Sequence, residues 1–216
     1  MCFKFLCIIL ILIIGTESSK ILIINQSFTK GHILPLHVLA KELVKKGHEI
    51  TFASMYPLEH PIPNYEDIKI EVTPKIWKSI NKINKALTET ENVFKLFPLL
   101  NEVVFVYGNK TLQSPAIQNL KNKNFDLLVV GYFMNEHLLG FADYFKCPSI
   151  MVFAGMHDAL CNGIVGNPLS PEGSPHGFME SKNMNFMMRV KNFLFYGLER
   201  ELLGRFFRYQ SRKIYE

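Results

Sequence analysis

His32 stands directly after a buried-looking strand, at the mouth of a helix, where a histidine is placed for proton chemistry. The positive end of a helix dipole disfavours imidazolium, so the ring stays neutral and able to take a proton. At the carboxyl ends of parallel strands, a neutral imidazole suits a general base acting on a substrate hydroxyl. A lone histidine more often caps its helix or packs beneath a loop, so the surrounding residues must decide. Phe28, Tyr132, Asn135 and His157 fall in loops after strands and read as candidate lining of a substrate pocket. His37, about a turn beyond His32, reads as packed against the sheet, and His48, past the helix end, as structural. Asp126 opens its strand at the end away from this loop and also reads as structural.

Other chemistries find no support. The turn NQSFTKGH holds one glycine, and neither G-x-G-x-x-G nor G-x-x-x-x-G-K-[ST] occurs, which argues against a dinucleotide or P-loop site. Cys2 and Cys7 lie in the N-terminal apolar run, leaving Cys147 and Cys161, too few for a zinc site or a disulfide framework. No metal is expected.

The elements that position His32 follow from hydrophobic period. The run ILIIN at 21–25 suits a parallel strand covered on both faces. Ile33, Leu36, Leu39, Ala40 and Leu43 recur at helical spacing, with Lys41, Glu42, Lys45 and Lys46 on the other side. Pro35 is expected in the first turn and Gly47 as a left-handed cap. HEITFAS starts a second strand, DIKIEVT (67–73) alternates as a third, FDLLVVG (125–131) is a buried fourth and PSIMVF (148–153) a fifth. Residues 75–108 look helical but broken at Pro98, and 112–120 and 135–145 are shorter helices. Residues 154–176 read as loop, before an amphipathic helix over 179–214 with a break near Gly197 or Gly204. This alternation implies an α/β fold, a Rossmann-like parallel sheet with helices on both faces and ligands at the strands' carboxyl ends.

The chain has 216 residues, 48% hydrophobic and 20% charged, with a formal net charge of +5. That is an ordinary globular balance, and its scattered lysines argue against a nucleic-acid partner. Residues 1–19 read as a cleaved secretory signal, with one basic residue, a short apolar core and small residues at the end. An uncleaved anchor is the competing reading. Residues 20–216 then form one domain. Secretory entry gives meaning to two sequons, at Asn109 and Asn25, of which Asn109 is favoured because Asn25 lies at a strand end. The last helix sets Phe193, Leu198 and Leu202 beside Arg200 and Arg205, a pattern that suits a membrane surface. Packing against the sheet or against a missing domain is the preferred reading of that face.

The string GHxxPxxxLAxELxxxGHExT at 31–51 resembles the N-terminal signature of the UDP-glycosyltransferases, the GT-B family that includes the UDP-glucuronosyltransferases. FDLLVVGYFMNEHLLGFADYFKCPSI at 125–150 is similar to that family's fourth strand and following helix, and GNP at 166–168 to its arthropod-type members. The resemblance implies the N-terminal, acceptor-binding half of a GT-B fold. It implies that His32 deprotonates a small lipophilic hydroxyl acceptor, whose oxygen displaces UDP from the anomeric carbon of a UDP-sugar with inversion. The UDP-sugar is a co-substrate held mainly by a C-terminal half absent from this sequence, no cofactor is implied, and the compartment is the endoplasmic reticulum lumen. In that family a partner aspartate follows the F-D strand, where this chain has Gly131; Glu136 is the nearest substitute. Alone, the chain is expected to be inactive. It is either part of a longer enzyme or a non-catalytic binding module that associates with full-length relatives.

Overall fold

Strand β1 (Lys20–Asn25) buries Ile21, Leu22, Ile23 and Ile24 in succession, so both of its faces are covered and it lies inside the sheet. The computed structural model describes residues 18–89, 97–155, 159–164, 166–167, 170–176 and 183–215. The other strands are β2 (Glu49–Ser54), β3 (Tyr65–Lys69), β4 (Leu127–Gly131) and β5 (Ser149–Val152), and the order across the sheet is β3-β2-β1-β4-β5. β1 pairs in parallel with β2 and β4, and β2 pairs in parallel with β3. The bonds from Leu128 N to Pro148 O and from Tyr132 N to Val152 O step together, so β4 and β5 are parallel too. This is a Rossmann-like α/β fold.

The chain divides into two compact units. The first takes in residues up to 71, 114–131 and 139–150; the second takes in 72–113, 132–138 and 151–216.

In the first unit, helix α1 (Lys30–Lys45) follows β1 and turns Ile33, Leu36 and Ala40 inward. It ends as expected at a left-handed Gly47 (φ 93°), with Gly47 N bonding Val44 O and His48 N bonding Leu43 O. Two details differ from the sequence reading. Pro35 is the sixth helical residue, in the second turn, where it offers no N–H to the carbonyl of Gly31. Leu39 is 39% exposed, and the inward place beside Leu36 goes to His37, which was expected to pack against the sheet. β3 begins at Tyr65, ahead of the alternating run, because Tyr65 is the residue buried there. The expected helix at 112–120 starts late, at Pro115, because Ser114 caps it by accepting from Ile117 N.

In the second unit, the helix Pro74–Glu89 buries Ile76, Ile80 and Ile83. The helix Phe97–Asn101 holds Pro98 near its start, where proline is tolerated, and runs through a π turn (Glu102–Val106) into Tyr107–Gln113. A short helix, Ala159–Ile164, lies within the stretch read as loop. Its Leu160 packs with Val104, Phe105 and Phe207 in an apolar cluster. The last helix runs Phe186–Leu198, then a π turn (Glu199–Leu203), then Gly204–Tyr215; the expected break is this widened turn. The run at 135–145 is likewise two pieces, a 3-10 turn (Glu136–Leu139) and a helix (Gly140–Phe145), closed by left-handed Lys146. The signal-like residues 1–17 lie outside the described residues. Among the described residues no helix is long and apolar enough to cross a membrane.

A candidate active site where the strand order reverses

The strand order reverses between β1 and β4, and open α/β sheets bind ligands beyond the carboxyl ends of strands at such a point. Asn25 ends β1 and stands in register with Gly131, which ends β4. The Asn25 side chain is buried and employed at both atoms. Its Nδ2 donates to the main-chain oxygen of His32 at 3.0 Å, and its Oδ1 accepts from Ser27 N at 2.6 Å. One carboxamide therefore ties the strand end, the loop and the first turn of α1 together. Beside it, the Ser27 and Thr29 hydroxyls lie 3.1 Å apart.

His32 is the third residue of α1 and is half-buried. Burial holds its imidazole below the ordinary histidine value of 6.5. The helix dipole acts in the same direction, so the ring is neutral at pH 7 and can accept a proton.

Gly131 explains the missing carboxylate physically. A Cβ on this residue would lie 2.2 Å from Asn25 Nδ2 and 2.7 Å from Leu36 Cδ1. The space that a side chain would need is filled by Asn25, so the glycine and the asparagine belong together.

The remaining predicted residues are placed as follows. Phe28, in the first unit, is buried, and its carbonyl accepts from Tyr56 OH at 3.0 Å. Tyr132, Asn135 and Glu136 come together in the second unit. Tyr132 is buried with its ring edge-on to Phe153, and its hydroxyl donates to Glu136 Oε1 at 3.3 Å. Asn135 Oδ1 accepts from Phe133 N at 2.8 Å, closing a tight turn around Met134. Met134 has φ 53°, a left-handed conformation that costs a non-glycine residue about 1 kcal/mol. Glu136 thus has the Tyr132 phenol as its partner. His157 lies outside the described residues.

Of the sequons, Asn109 sits inside the helix Tyr107–Gln113, half-buried, with its Oδ1 accepting from Gln113 Nε2 at 3.0 Å. Asn25 is buried, and a glycan on its Nδ2 would displace the bond to His32.

The other histidines divide by environment. His37 is a core residue stacked on Phe52 at 4.3 Å. Its Nε2 lies 2.8 Å from Tyr56 O, which can only accept, so that nitrogen carries the proton and Nδ1 accepts from Tyr65 OH at 2.7 Å. His48 Nδ1 accepts from Ser19 N, and Asp126 Oδ2 from Lys20 N at 2.7 Å, both beside the amino end of β1. His137 escaped the sequence reading because nothing in the hydropathy pattern marks it. It is buried in the second unit, and burial pulls its pKa down to about 4. Cys147 and Cys161 are free thiols, and burial raises the pKa of Cys147. Among the described residues no group of three or more His, Cys, Asp or Glu is placed to hold a metal ion.

A parallel 3-2-1-4-5 sheet with a half-buried histidine on its first crossover helix defines a Rossmann-like unit. No family model matches the chain. It is, however, similar over most of its length to curated UDP-glycosyltransferases of the arthropod Dactylopius coccus. UDP-glucosyltransferase 2 is 26% identical over 156 residues, UDP-glycosyltransferase UGT5 29% over 174, and UDP-glycosyltransferase UGT4 24% over 179. These matches cover 71%, 77% and 82% of this chain but 30%, 32% and 35% of the relatives. The chain spans about a third of the length of the curated relatives it matches.

Proposed function

We propose that this chain is the acceptor-binding part of a UDP-glycosyltransferase, with His32 as the base. The observation that carries the reading is the half-buried, neutral imidazole held in the first turn of α1 beside the β1/β4 reversal. The acceptor is a small lipophilic hydroxyl compound. Its proton passes to the imidazole, its oxygen bonds to the anomeric carbon of a UDP-sugar, and the sugar–phosphate bond breaks with its electrons leaving on UDP. The donor is bound mainly by sequence outside this chain. Phe28, Tyr132, Asn135 and His157 are the residues proposed to bind the acceptor. The signal-like start directs the protein to the endoplasmic reticulum lumen, with a glycan on Asn109.

A second reading is a non-catalytic binding module that associates with full-length relatives. It draws on Asn25 filling the space over Gly131, which leaves the base without a carboxylate from that strand. Both readings require an acceptor site, and ring-labelled histidine NMR with 1-naphthol tests it. The His32 resonances should shift with added naphthol while those of buried His37 and His137 stay in place. Saturating naphthol with no change at His32 would count against both.

A further inference from the structure

The first turn of α1 is weakly held by its own backbone. Its cap, Thr29, makes no side-chain bond to the helix, and Pro35 offers no N–H to the carbonyl of Gly31. Gly31 itself adds the backbone freedom of glycine to the same turn. The turn that carries His32 is therefore set from outside, by whatever grips the chain before and after it. From β1 that grip is the Asn25 carboxamide on His32 O. From β2 it is Tyr56, two residues past the end of the strand.

Tyr56 holds the chain on both sides of His32. Its hydroxyl donates to Phe28 O at 3.0 Å, four residues before the histidine, and its own carbonyl accepts from His37 Nε2 at 2.8 Å, five residues after it. The Lys30 ammonium, on the first residue of α1, lies 5.6 Å from the centroid of its ring, a cation–π contact. The seat of Tyr56 is fixed independently of these groups. Tyr56 N donates to Ser54 Oγ at 3.2 Å, and Leu58 N donates to Asp67 Oδ2 at 3.1 Å, so β2 and β3 brace the segment. Tyr56 is half-buried, and burial raises its phenol, so at pH 7 the hydroxyl keeps the proton that it donates. A side chain that only filled this place would need no hydroxyl, since phenylalanine offers the same ring.

We propose that Tyr56 is a positioning residue for His32, clamping residues 28–37 at both ends so that the imidazole keeps one depth and one direction. Its bearing on the reaction rests on the reading of His32 as the acceptor's base. The clamp itself is a property of the unliganded chain and is measured without substrate. A displacement of about 1 Å is enough to impair catalysis, so Tyr56 matters to the reaction without touching the reacting atoms.

Ring-labelled histidine NMR of the full chain tests the clamp. Tyr56→Phe removes one hydroxyl and keeps the ring that faces Lys30. In the unliganded variant the His32 resonances should shift, and their titration midpoint should rise toward the ordinary histidine value as a loosened turn admits water to the ring. His37, still bonded to Tyr56 O, should stay in place. With 1-naphthol, the dissociation constant read at His32 should rise roughly fivefold, the effect of one net hydrogen bond. Tyr144→Phe removes a like phenol-to-carbonyl bond, to Lys121 O, elsewhere in the same unit and should leave His32 unmoved. Wild-type resonances and midpoint at His32 in Tyr56→Phe overturn the proposal. So does an equal response to Tyr144→Phe, which would mark a general loosening of the fold. A His32 that is moved by Tyr56→Phe but blind to naphthol in the wild type upholds the clamp and sinks the acceptor reading instead.

Discussion

Gly131→Asp is expected to lower the free energy of unfolding by about 3 kcal/mol and the melting midpoint by roughly 10 °C. The substitution supplies the carboxylate found at this place in the resembling family, yet it should not supply a working partner for His32. Its Cβ would fall 2.2 Å from Asn25 Nδ2, so the asparagine must leave and the His32 carbonyl and Ser27 N–H lose their partner. Overpacking accounts for about 1–3 kcal/mol of the loss, and the vacated hydrogen bonds for most of the rest. Adding Asn25→Gly removes the obstructing side chain and should return about 1–2 kcal/mol, a coupling that a urea double-mutant cycle measures. Strictly additive effects would mean that the two residues do not share this space.

The second large effect is acid sensitivity. His137 has a folded pKa of about 4 against an unfolded value near 6.5, so below pH 6.5 the unfolded chain takes up a proton that the folded one refuses. Its contribution is complete above pH 6.5, is lost as the pH falls from 6.5 to 4, and amounts to on the order of 3 kcal/mol. His32, also lowered, acts with the same sign. Asp67 opposes it, because burial raises its carboxyl and the folded state then binds that proton more readily. Urea midpoints of wild type and His137→Leu, followed from pH 7 to pH 4, should converge as the wild type loses stability. Parallel curves would show that His137 is protonated as easily in the fold as outside it.

What the sequence disclosed and what it hid have physical reasons. The run at 21–25 suited a strand covered on both faces, and Gly47 a helix cap, because both signals are local and depend little on distant neighbours. The packing of His37 against the sheet was legible, but the partners of its ring were not, since the two tyrosine groups that satisfy it come from β3 and the loop before it, distant in sequence. The same holds for Gly131, whose meaning depends on Asn25, more than a hundred residues earlier and a neighbour only through strand pairing. The final helix shows a further limit. Its stripe was plain from spacing, but periodicity carries no direction, and only Asn192 turned inward shows that the apolar side looks out.

The central claim is that His32 takes the acceptor proton. It is tested most directly by joining this chain to the part of UDP-glucosyltransferase 2 that it does not match, and measuring UDP release with 1-naphthol and UDP-glucose. Substituting His32→Ala should lower kcat by about 10²–10⁴-fold while the KM for UDP-glucose stays unchanged, as for loss of a general base. An active fusion whose kcat changes by less than about twofold on His32→Ala would contradict the assignment, since a general base contributes far more than that.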